Sequence, residues 1–426
     1  MQIDYEEAVL DNGLRVLVHK DDTTSMVAFN LIYDVGAKDE DPEKTGFAHL
    51  FEHLMFSGSK HVKDFDMELD RVGGSNNAFT NNDFTNYYIL IPKDSLEVAF
   101  RIESDRMRNL AITQKKLDIQ KGVVIEEFKE RCLNQPYGDS DLLVRPLSYK
   151  RHPYAWSTIG KNVEQIESVS LQDVKDFYAT YYKPDNAVLT VAGPVEAGEI
   201  FEMSRKWFGS IPKGNRPERN LPVEPVQTEA RKASVVRNVP ANALYKTYHV
   251  SGRLSDDFYV FDLVSDILSN GESSRFYTRL VKERKLFNSV NAYVSGDIEP
   301  GLFLVSGFLE EGVGFEAAEA AVDEEIARLA EEEIPEAELQ KVKNKVEAAL
   351  LYSNMKAMDK AMNLGYFALM GDASVLNKED AEYRSIQAGD MKEAVARCLR
   401  QENSNTLYYR ASGNAGQACL MEEEEE

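Results

Sequence analysis

Basic side chains are scarce in this chain. Lysine and arginine number 49 against 72 acidic residues, leaving a formal net charge of −23. So acidic a surface repels phosphate backbones and argues against nucleic-acid binding. It would suit a cavity that attracts cationic peptides, but plain solubility is the simpler reading, and the glutamates at 422–426 form a solvated tail. Cysteine is rarer still. Cys132, Cys398 and Cys419 lie far apart, match neither a metal-ligand spacing nor a disulfide framework, and read as buried free thiols in a reducing compartment. No apolar run approaches bilayer length, so no membrane span is expected. Residues 1–11 are acidic and mixed, unlike a secretory leader. A cytoplasmic location is the expectation, or a periplasmic one if a leader has been trimmed.

What remains describes a globular protein, with 43% hydrophobic and 28% charged residues. At 426 residues it is too long for one ordinary core, which suggests two to three domains. Histidines number only six, and two of them flank a glutamate in His49-Leu50-Phe51-Glu52-His53. Imidazoles four residues apart share one face of a helix, about one turn apart. Both can coordinate one zinc ion, and Glu52 stands where a carboxylate could take a proton from water on that ion. The order is His-Glu-x-x-His reversed, the inverted zincin pattern.

Around this motif the chain reads as a hairpin at 7–10 and 14–19, turning at Asp11-Asn12-Gly13. A strand is expected at 25–35 and a helix over 45–56, stopped by Gly58. One alternating strand is expected over 77–92, then helices at 96–109 and 113–131. A strand at 186–192 and a helix at 197–208 close the half. Residues 213–228, with Pro217, Pro222 and Pro225 among charges, read as a linker.

The second half repeats the first. With Gly58 set against Gly271, the histidine motif falls on Asp262-Leu263-Val264-Ser265-Asp266. Asn77-Ala78-Phe79 falls on Asn291-Ala292-Tyr293, and Gln120-Lys121 on Gln340-Lys341. Three correspondences in conserved order point to a duplication whose second copy lacks both histidines and the glutamate. The domains are then 1–212, carrying the zinc motif, a linker at 213–229, and 230–426 without the motif.

Two histidines leave a catalytic zinc site one protein ligand short, and a carboxylate is the natural third. The helix around Val123-Val124-Ile125-Glu126-Glu127-Phe128-Lys129-Glu130 offers three. Glu126 and Glu130 share a face, Glu127 is turned about 100° from Glu126, and spacing alone leaves the choice open.

Taken with Gly73-Gly74-Ser75-Asn76-Asn77-Ala78-Phe79-Thr80, Asn134-Gln135-Pro136-Tyr137-Gly138, His152-Pro153-Tyr154, Thr158-Ile159-Gly160 and Val191-Ala192-Gly193, these motifs resemble the pitrilysin-type zinc peptidases. The likeness is greatest to the branch containing the processing peptidases, and it covers nearly the whole chain. It implies an α+β fold of two homologous domains, each a mostly antiparallel sheet packed with helices. It also implies one zinc ion per chain, held by His49, His53 and Glu127, with Glu52 as general base on a zinc-bound water. Peptides or unfolded segments would be hydrolysed inside a closed chamber, adding as a strand along Asn77, Ala78 and Phe79.

Two positions depart from the family's pattern. A glutamate seven residues before the distal ligand is Gln120 here, which cannot act as a base. An Arg/Tyr pair that steadies the tetrahedral intermediate falls on Val281 and Asn288, while nearby Arg275, Tyr277 and Arg279 read as helix-surface residues. A hetero-dimer with a related subunit that supplies the pair is therefore expected, a homodimer being the alternative. The competing reading is a non-catalytic structural or assembly subunit.

Overall fold

The computed structural model describes residues 2–215 and 218–414. The first half supplies six strands: β1 (Glu6–Val9), β2 (Arg15–Lys20), β3 (Met26–Tyr33), β4 (Ser75–Thr80), β5 (Thr85–Pro92) and β6 (Ala187–Gly193). The second supplies five: β7 (Arg231–Arg237), β8 (Ala243–His249), β9 (Phe287–Val294), β10 (Leu302–Leu309) and β11 (Ser404–Ala411). The sheet orders are β1-β2-β6-β3-β5-β4 and β7-β11-β8-β10-β9. With β1 set aside the two orders are the same. In each, the first pair is parallel, β2 with β6 and β7 with β11, and every later pair is antiparallel. Gly58 and Gly271, which anchor the sequence repeat, share φ = 87°. The fold is thus α+β, two homologous and mostly antiparallel sheets packed with helices.

Most strands and helices fall where the pattern of apolar residues sets them. The exception is 77–92, expected as one strand and found as the hairpin β4–β5. The cause is local. Asn81 Oδ1 accepts the backbone N–H groups of Asp83 and Phe84, both at 2.8 Å, and this side-chain turn reverses the chain inside an otherwise alternating stretch.

Helices follow the repeat as well. Those used below are α1 (Phe47–Met55), α2 (Leu96–Asn109), α3 (Gln114–Phe128), α4 (Ser140–Ser148), α5 (Leu171–Tyr181), α6 (Asp256–Ser269), α7 (Phe315–Glu331), α8 (Glu336–Ser353) and α9 (Ala357–Leu369). The strands of each sheet come from one half of the sequence, but the compact units exchange helices. One unit is Met1–Phe128, Trp156–Pro222 and Ala349–Glu379; the other is Lys129–Ala155, Val223–Ala348 and Asp380–Glu426.

In the first unit α9 lies on β3 and β6, with Ala357 and Ala361 against Ala28 and Ala192, and Leu364 against Ile32 and Val188. The approach is close. A Cβ at Gly365 would sit 2.9 Å from Asn30 Nδ2 and 3.1 Å from Thr190 Oγ1, so a larger residue there would force those side chains to shift. Covered on both faces, β6 buries all seven residues, which explains why it is apolar throughout except at Thr190. A buried ion pair between Lys360 and Asp21, at 2.6 Å, fixes the start of α9. In the second unit α4 plays the matching part, packing Val144 on Ala243, Leu407 and Tyr409.

Cys132 is buried as expected, whereas Cys398 is only half-buried because it ends a helix; Cys419 and the 422–426 run lie outside the described residues. Among the described residues no helix is long and apolar enough to cross a membrane.

Candidate active site

Helix α1 is amphipathic in a way that sorts apolar from chemical residues. Phe47, Ala48, Leu50, Phe51, Leu54 and Met55 are buried, and Phe51 packs against Phe177 of α5 and against Tyr182. His49, Glu52 and His53 share the remaining face. The start of the helix is pinned by a buried carboxylate: Glu40 accepts the N–H of Ala48 at 2.7 Å and that of Gly46 at 3.1 Å. Burial pushes the Glu40 carboxyl up to about 8, against the pull of those donors and of Trp156 and the Phe47 N–H. Gly58 then ends the segment, in a left-handed turn where a Cβ would meet the Lys63 carbonyl at 2.4 Å.

Helix α3 packs on α1 and brings one carboxylate to the histidines. Glu127 Oε2 lies 3.2 Å from His53 Nε2 and 3.6 Å from His49 Nε2, and the two Nε2 atoms are 3.3 Å apart. Four ligands placed tetrahedrally about 2.1 Å from a zinc ion stand about 3.4 Å from one another. The three atoms therefore already have the spacing of three corners of a zinc site, and two imidazoles with one carboxylate form a catalytic type of donor set. Among the described residues this is the one cluster of three or more His, Cys, Asp or Glu with such geometry. Glu126 and Glu130 are exposed and outside it. The helical turn that separates Glu127 from Glu126 puts only Glu127 of the three beside the imidazoles. Gln120, about two turns before Glu127 on the same face of α3, donates to Ser57 Oγ at 3.3 Å.

Glu52 is tied to the sheet. Thr80 Oγ1, at the end of β4, lies 2.6 Å from Glu52 Oε2. That contact joins the candidate base to the strand carrying Asn77, Ala78 and Phe79, which forms the free edge of the first sheet. Asn77 Oδ1 accepts the Ala78 N–H at 2.8 Å, so this amide is not spent in the ladder with β5. Sequence reasoning missed Thr80, although it ends the quoted Gly73–Thr80 motif. It also missed Arg106 on α2, a buried cation over the rings of Phe65, Phe56 and Tyr87. Phe56 caps the C-terminus of α1, so this cluster supports the helix from behind.

In the second unit, the positions set against the histidine motif carry Asp262 and Asp266 on α6. Asp262 accepts a hydrogen bond from Tyr383 at 2.7 Å. Asn288 Nδ2 donates to the Leu309 carbonyl at 3.0 Å, and Val281 carries no donor. Arg275 corrects the surface reading: it is buried, with Nη2 2.7 Å from Glu338 Oε2 on α8. Arg279 pairs likewise with Glu325 on α7 at 2.9 Å. Their guanidinium groups complete the fold of that unit.

Fold and donor set are those expected of a zinc peptidase with an inverted motif. Two family models match: Insulinase (Peptidase family M16) over residues 15–142, and Peptidase M16 inactive domain over 168–346. The chain belongs to the peptidase M16 family. It is 28% identical to the zinc protease PqqE of Helicobacter pylori, over 95% of this chain and 93% of that one. It is also 27% identical to the mitochondrial-processing peptidase subunit beta of Saccharomyces cerevisiae, over 49% of this chain and 45% of the relative. The solved structure of a protease from Helicobacter pylori superposes with a TM-score of 0.91 at 26% identity, covering 96% of this chain and all of that one.

Proposed function

We propose that this chain is a zinc-dependent endopeptidase acting on peptides or unfolded segments, with one zinc ion per chain. The observation that carries the reading is the convergence of His49, His53 and Glu127 within ligand spacing, beside Glu52 on the same helix face. Zinc held by those three residues would supply Lewis acidity toward the scissile carbonyl and toward water. Glu52 accepts the proton of the attacking water and returns it to the leaving amine. Asn77, Ala78 and Phe79 offer main-chain groups along a free edge, to which an extended substrate adds as a further strand. Pairing of that kind tolerates varied sequences. The discriminating variant is Glu52→Gln, assayed for peptide cleavage and zinc content together.

We further propose that the working form includes a second, related chain. Val281 and Asn288 occupy the positions where the family's Arg/Tyr pair is expected, and Arg275 and Arg279 are engaged within their own unit. Relatives named as subunits agree with this reading. A non-catalytic assembly role is less well supported, because it does not explain why the ligands and the base all stand together.

A further inference from the structure

Thr80 does more than end a strand. It faces Thr85 across the β4–β5 hairpin, and their Oγ1 atoms are 3.4 Å apart. Thr85 is fully buried and donates its one hydroxyl proton to the Val35 carbonyl at 2.9 Å. Behind it stand two buried tyrosines. The phenol oxygens of Tyr182 and Tyr87 are 3.4 Å apart.

Counting protons fixes the direction of the contact at Glu52. Each hydroxyl has one proton to give and lone pairs to receive. Because Thr85 has given its proton to Val35, it cannot donate to Thr80. Thr85 can only accept from Thr80 across their longer 3.4 Å contact, and an ionised carboxylate can only accept, so in the 2.6 Å contact Thr80 Oγ1 is the donor to Glu52 Oε2. A separation of 2.6 Å is the length of a charge-assisted hydrogen bond.

We infer that Thr80 is a positioning residue for peptide hydrolysis, its hydroxyl fixing the orientation of the Glu52 carboxylate through Oε2. The inference rests on the reading of Glu52 as general base. Without the hydroxyl, the carboxylate turns about its terminal torsion, a broad and soft one, and proton transfer slows while zinc and substrate bind as before.

The test compares Thr80→Val, which keeps the shape and loses the hydroxyl, with Thr80→Ser, which keeps the hydroxyl. Both are assayed in the zinc-loaded full chain for kcat, KM, zinc content and melting temperature. Thr80→Val is expected to lower kcat by about 10- to 100-fold, in the range of general acid–base contributions, with KM and zinc content unchanged. Thr80→Ser is expected to recover most of that loss. An unchanged kcat in Thr80→Val overturns the inference, as does an equal loss in Thr80→Ser, which would point to the methyl group and packing. A loss of Thr80→Val activity that tracks zinc loss or a lower melting temperature overturns it too. Glu52→Gln, run in parallel, separates the two claims. If it retains activity, the reading of Glu52 fails; if it is inactive while Thr80→Val works at full rate, only the role of Thr80 fails.

Discussion

At the residue scale the site depends on one turn of helix. Glu126 and Glu127 are neighbours in sequence, yet only Glu127 reaches the imidazoles, at 3.2 Å from His53. Loss of a supporting partner typically weakens a metal site by about 10- to 100-fold, so loss of a ligand exceeds that. Glu127→Gln should therefore lower zinc affinity by more than about 100-fold, whereas Glu126→Gln should leave it unchanged, as read by competition with a chromophoric chelator. Equal losses in both would contradict the assignment. The histidines and Glu52 were legible in the sequence because helical periodicity alone puts positions 49, 52 and 53 on one face. Glu127 was not legible from periodicity, since the choice depends on how α3 packs against α1. Thr80 was hidden for a related reason: the single-strand reading of 77–92 overlooked the side-chain turn at Asn81, and with it the pairing of Thr80 with Thr85.

At the element scale, α1 is held at its start by Glu40. Burial pushes the carboxyl of Glu40 up to about 8 in the fold, outweighing the hydrogen-bond donors around it, against an ordinary value of 4.5. Between those limits the folded chain binds the proton more tightly than the unfolded chain does. Stability therefore declines as pH rises from about 4.5 to about 8, by the sign of linkage for a raised pKa. Glu40→Gln should flatten that part of the curve, as read by denaturation midpoints across the range; an unaltered slope would contradict the account. β4 makes a separate prediction. The Ala78 N–H is bonded to the Asn77 side chain and not to β5, so proline there removes the amide while sparing the ladder. Ala78→Pro should reduce kcat/KM by about tenfold, the worth of one hydrogen bond, with the melting temperature held within a few degrees. Unchanged kcat/KM would remove β4 from substrate binding.

At the scale of the whole molecule, the duplication was legible because Gly58 and Gly271 need the same left-handed backbone and mark the same point in each copy. The exchange of α4 and α9 between the compact units was not. Short helices with small residues, such as Ala357, Ala361 and Gly365, carry no sign of which sheet they will cover. The candidate metal ligands and base all stand in one copy, and the second carries Val281 and Asn288 where the family's Arg/Tyr pair is expected. The chain purified alone should then cleave an unstructured peptide about 100-fold more slowly than it does with a related subunit bearing that pair, the scale of losing a transition-state donor. Full activity from a strict monomer would contradict this. The central claim, that the His49–His53–Glu127 cluster and Glu52 form a hydrolytic zinc centre, is tested most directly by Glu52→Gln. Its zinc content and its cleavage of a quenched unstructured peptide should be measured on the same preparation. The account predicts one zinc per chain and no measurable turnover; wild-type turnover, or a variant that no longer binds zinc, would contradict it.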